Sequence, residues 1–78
     1  MEVIQTKKIA SVELAEVLVS ADEIRVYQTA LDLVLSEMSE EEIENKFGAT
    51  RDEIKGLLED LRQASKACAE NQSESVLA

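Results

Sequence analysis

Three Ser/Thr-x-x-Glu tetrads punctuate this chain: Ser20 with Glu23, Ser39 with Glu42, and Thr50 with Glu53. In each, the hydroxyl can accept from the amide three residues on while the carboxylate returns to the capping residue's own amide, so each marks a helix start. The last two starts lie eleven residues apart. Apolar spacing supports both, because Ile43 and Phe47 share one helical face (i, i+4) and Ile54, Leu58 and Leu61 share another (i, i+4, i+7). Gly48 stands where the first of these helices must turn left-handed to end, a conformation glycine adopts at little steric cost. Ser39 to Leu61 therefore reads as two short helices meeting at a tight corner.

On Glu42, Ile43, Phe47, Gly48, Thr50, Ile54 and Leu58, this corner resembles the broad helix-turn-helix superfamily of DNA-binding and regulatory domains. These residues fall where that pattern places a buried aliphatic, a second apolar residue, the turn glycine, a capping hydroxyl and two apolar anchors. Glu44 occupies a position the pattern usually keeps small. The likeness covers about a third of the chain and implies a tri-helical domain.

A chain of 78 residues makes one domain. At this size only around 60 % of the unfolded surface is buried and stability amounts to a few kcal/mol, which leaves no room for a deep enzyme cleft. Histidine is absent, so imidazole acid/base chemistry and histidine-ligated metals are excluded. Catalysis would fall to carboxylates, lysines or Cys68, and nothing pairs them, so the expectation is a non-enzymatic protein without metal or cofactor. Cys68 continues the apolar seam Leu61–Ser65–Cys68, which reads as a small seam residue in a reducing compartment; an intermolecular disulfide or a reactive thiol is the alternative. The N-terminus lacks the hydrophobic core of a signal peptide, and charges interrupt every window of about twenty residues. The expected location is cytoplasmic.

Along the chain, residues 1–10 alternate weakly between β-branched and polar types and suit an N-terminal arm or short strand. Ser11 to Val19 reads as a short helix with Ser11 as N-cap, apolar on nearly every side. A long helix over 21–38 carries one stripe of Ile24, Tyr27, Leu31, Val34 and Met38 and a second of Val26, Ala30 and Leu33. The second stripe is either covered by the 11–19 helix or forms a homodimer seam. A helix over 40–47 and a last one over 51–69 complete an all-α bundle of three to four helices, with Ile24, Tyr27, Leu31, Phe47, Ile54, Leu58 and Leu61 in a common core. Gly56, inside the last helix, is either a close-approach site or a tolerated defect. Residues 70–78 lack periodicity and read as a disordered tail whose final Val76, Leu77 and Ala78 could serve as a hydrophobic tag.

Charge supplies the functional signal. Eight basic residues against seventeen acidic ones give a formal charge of −9. Glu37, Glu40, Glu41 and Glu44 concentrate negative charge where the third helix opens. They point to a regulatory interaction module docking on a protein with a basic surface, such as a nucleic-acid-binding protein whose phosphate site it would occupy. Arg51, Lys55 and Arg62 share one face of the last helix, bordered by Asp52 and Glu59. That narrow stripe supports the alternative, a dimeric helix-turn-helix transcriptional regulator reading DNA.

Overall fold

The computed structural model describes the backbone of residues 1–77 and the side-chain surroundings of residues 1–70. Two strands, β1 (Glu2–Ile9) and β2 (Val12–Leu18), precede three helices, α1 (Ala21–Glu37), α2 (Glu40–Phe47) and α3 (Arg51–Leu77). The fold is therefore α+β, and the all-α expectation is corrected. The tail expected over 70–78 lies outside the residues whose surroundings are described, save Glu70.

The correction falls on residues 11–19. β1 and β2 pair antiparallel through a two-residue turn at Ala10–Ser11, with Ile9 opposite Val12. Ala10 takes φ +55 and is the one non-glycine at positive φ among the described residues. Positive φ confined to the first turn residue is the type II′ pattern, whose twist suits a right-twisted hairpin. Val12, Leu14, Glu16 and Leu18 then alternate with Glu13, Ala15 and Val17 across the two faces. A segment apolar on nearly every helical side is equally a two-faced strand, and its β-branched valines favour the strand. Ile4 has no partner in the register and forms a bulge between Val3 and Gln5. A cross-strand ion pair, Lys7 Nζ to Glu16 Oε1 at 2.9 Å, ties the ribbon together.

All three capping boxes are formed. The hydroxyls of Ser20, Ser39 and Thr50 accept from the amides of Glu23, Glu42 and Glu53 at 3.1, 3.2 and 3.1 Å. The three carboxylates accept in return from the capping residues' amides at 3.3, 3.2 and 3.0 Å. Gly48 closes α2 at φ 65, its amide donating to the Glu44 carbonyl at 3.0 Å.

The helices α1 and α3 run antiparallel. Near the start of α1, Ile24 and Tyr27 share a groove with Leu61, Ala64 and Cys68 of α3, while Asp32, further along α1, meets Arg62. α2 packs on α3 at the far end of this pair. The buried core is small: Ile24, Ile43, Ile54 and Leu58. Leu31 and Leu61 are half-buried beside it. Two expected core residues are corrected. Phe47 ends α2 and is 50 % exposed at the rim of the corner, and Tyr27 is 36 % exposed on the groove wall. Ile43, one turn earlier than Phe47, takes the central place with no exposed surface.

Candidate interaction surface

The end of α1 and the first turns of α2 present the acidic cluster. Glu37, Glu40, Glu41 and Glu44 are all exposed. Part of this charge is structural, since Glu40, Glu41 and Glu42 occupy the first turn of α2, where carboxylates face the positive end of the helix dipole. Glu42 is additionally held by its capping box. Glu40 and Glu44 line a polar cleft of about 240 Å³, and Glu37 and Glu44 lie outside the first turn of α2.

That cleft brings Glu40 and Glu44 of the acidic cluster beside Arg51, one of the three residues expected to face DNA. Its other walls are Thr50, Arg51 and Asp52, so the half-buried Arg51 sits among Glu40, Glu44 and Asp52. Arg62, at the other end of the stripe, is engaged twice: Nη2 lies 3.6 Å from Asp32 Oδ1 and Nη1 lies 3.8 Å from Glu59 Oε2. Lys55, between them, is exposed. Helical phase puts the three cations on one face, but the contact with Asp32 depends on how α1 crosses α3, which local spacing does not report.

The hairpin is the surface that sequence reasoning missed. Every side chain from Met1 to Leu18 is exposed. The hairpin meets the helices only at its base, where Val17, Leu18 and Val19 join the apolar groove of about 520 Å³ between α1 and α3. The chain's terminal ammonium lies 2.9 Å from the second Glu23 carboxylate oxygen, Oε2. This contact, followed by the Ser20 amide, holds the Glu23 carboxyl below the usual carboxylate range. Glu16 is lowered likewise, first by a hydrogen bond from Gln5 and then by Lys7. The second stripe of α1 is uncovered, with Val26 65 % and Leu33 51 % exposed, because the element expected to cover it is a strand that projects elsewhere. Cys68 is a free, half-buried thiol in the α1/α3 groove.

Among the described residues no group of three acidic, cysteine or histidine side chains is placed to hold a metal, and no helix is long and apolar enough to cross a membrane. Comparison of the chain with family models, curated proteins and solved structures returns no match.

Proposed function

We propose that the chain is a small non-enzymatic regulatory module that docks, through its acidic α1–α2 end, on a protein with a basic surface. One observation carries this reading. The carboxylates at that end stand exposed, whereas of the cations that would answer a phosphate backbone Arg62 is paired with Asp32 and Glu59, and Arg51 lines a cleft together with Glu40 and Glu44. With a net charge of −9, the chain's field attracts cationic surfaces and repels nucleic acid. A basic nucleic-acid-binding protein is the partner class that fits such a field.

Capture from cognate lysate, with and without nuclease, tests it. A basic protein retained after nuclease, and released when Glu40, Glu41 and Glu44 are changed to Lys, is the expected result. Loss of every partner on nuclease treatment would overturn it.

The second reading, a DNA-binding helix-turn-helix regulator, draws on the corner itself: both helices are capped, Gly48 makes the left-handed turn, and Lys55 faces solvent. Under that reading, Arg51→Ala with Lys55→Ala lowers the slope of log affinity against log salt by roughly 2, near 0.9 for each phosphate no longer neutralised. Tight, sequence-dependent binding at about 50 mM salt that this double change abolishes would promote it.

A further inference from the structure

α1 carries more apolar surface than the fold uses. Ile24 is buried and Leu31 and Val34 are half-buried on its inner side, so these residues account for its place in the core. Val26, Ala30 and Leu33 form a second row at i, i+4 and i+7, and all three are exposed. Together with Asp22, Arg25 and Thr29 they frame a shallow apolar depression on the outer side of the helix. Apolar patches rimmed by polar residues mark interaction sites. Here the rim is acidic at both ends, because the same row begins at Asp22, one turn before Val26, and ends at Glu37, one turn after Leu33. Both acids are exposed. Fifteen positions separate them, about 22 Å along the helix axis.

The two acids decide what can lie on this row. Laying α1 antiparallel on its own copy, so that Val26 meets Leu33, sets Asp22 against Glu37 at both ends of the contact, and laying it parallel sets each acid against itself. Arg25 gives little relief. Asp22 already holds it at 3.5 Å, and Asp32, on the same flank, is taken by Arg62. Two chains of net charge −9 repel each other as well. A helix of opposite end charge meets both conditions, since its apolar anchors at i, i+4 and i+7 cover Val26, Ala30 and Leu33 while its ends answer the acids. We infer that the outer face of α1 docks an amphipathic helix of the basic partner, apolar along its middle and carrying Lys or Arg at both ends. This rests on the basic-partner reading and extends its surface, because Glu37 belongs both to this row and to the acidic corner.

A labelled synthetic helix of about 20 residues, with leucines at i, i+4 and i+7 on an alanine and glutamine background and paired lysines at each end, is the probe. The full chain should bind it with a dissociation constant below about 100 µM at about 50 mM salt, and a scrambled peptide of the same composition at least about ten-fold more weakly. Val26→Gln with Leu33→Gln removes the apolar row and should weaken binding at least about ten-fold with helical content unchanged. Glu37→Lys should weaken it roughly two- to ten-fold, and a peptide with lysines at one end and glutamates at the other should recover the loss. Weaker binding by the parent overturns the inference. So does equal binding of the scrambled peptide, which would mean attraction by charge alone, or parent affinity in the Val26→Gln, Leu33→Gln variant, which would place the peptide elsewhere. Failure of the mixed-end peptide to recover Glu37→Lys overturns it equally. Sedimentation showing a dimer that the Val26→Gln, Leu33→Gln variant dissociates would assign the row to a second copy and overturn it too. The corner reading fails by a different result, because Glu40, Glu41 and Glu44 lie outside the row: a basic protein that their change to Lys releases, but that the glutamine variant still holds, would keep that reading and end this one.

Discussion

Arg62 of α3 reaches Asp32 of α1 at 3.6 Å, thirty positions away in the sequence, and by that contact the cation of the last helix is turned to the chain's own acid. Both side chains are more than half exposed, so the pair contributes little stability, about 0–1 kcal/mol. Its consequence is electrostatic. Asp32→Asn together with Glu59→Gln should leave the melting temperature within a few degrees of the parent while unmasking Arg62. Affinity for a non-specific duplex should rise in that variant and fall steeply with salt. Unchanged duplex affinity would show that the pairing does not govern the field of this face.

Ile43 and Phe47 lie one turn apart but differ in burial. Ile43→Ala should cost about 2–5 kcal/mol, much of the stability of so small a domain. Phe47→Ala, at a half-exposed rim, should cost about 1 kcal/mol. Denaturant midpoints of the two variants check the order, and a larger effect for Phe47 would move the core toward the ring.

The two glycines have opposite roles. Gly48 at φ 65 strains any other residue, so Gly48→Ala should destabilise by about 1 kcal/mol. A Cβ on Gly56 would meet nothing within 4 Å, so no close approach requires glycine there. Gly56→Ala should stabilise by about 0.5–1 kcal/mol through helix propensity alone. Thermal melts that moved in the same direction for both would contradict this.

Ala10 carries the mirror-image problem, holding φ 55 with a methyl group. Ala10→Gly should stabilise the hairpin by up to ~1 kcal/mol, read as slower exchange of its cross-strand amides. Faster exchange would mean that the turn's conformation is set by something other than its φ.

Acid should loosen the hairpin and its junction with the start of α1. Glu16 and Glu23 are held below the usual carboxylate value, so the stability they contribute is fully present above the unfolded value of about 4.3 and disappears as pH falls through their lower folded values. Exchange at the β1 and β2 amides should accelerate in the parent as pH falls through the lowered Glu16 value, and less so in Glu16→Gln, where Lys7 has no titrating partner. Equal acceleration in both would remove Glu16 from the account.

The helical half of the fold is legible in the sequence because its signals are local. A capping box places donor and acceptor three residues apart, and Gly48 at a helix end needs no distant partner, so the helices expected over 21–38 and 40–47 agree with α1 and α2, and the one expected over 51–69 agrees with α3 in its start but not in its end, which is Leu77. The strand β2 is not legible. Its turn is Ala-Ser, with neither the asparagine nor the glycine that usually announces a hairpin, and its apolar residues satisfy a helix and a two-faced strand alike.

The sequence by itself determined where α1, α2 and α3 begin, how α2 ends, and the acidic character of the corner, because each depends on residues within one or two turns of one another. Only the tertiary structure decided that Ile43 rather than Phe47 fills the corner, that Arg62 answers Asp32, that Arg51 lies among Glu40 and Glu44, and that the apolar face of α1 stays open beside a projecting hairpin. Those outcomes depend on where the antiparallel helices cross and on which partner residues 11–19 find. Helical periodicity records which residues share a face, but the element that meets that face is chosen by packing between segments distant along the chain.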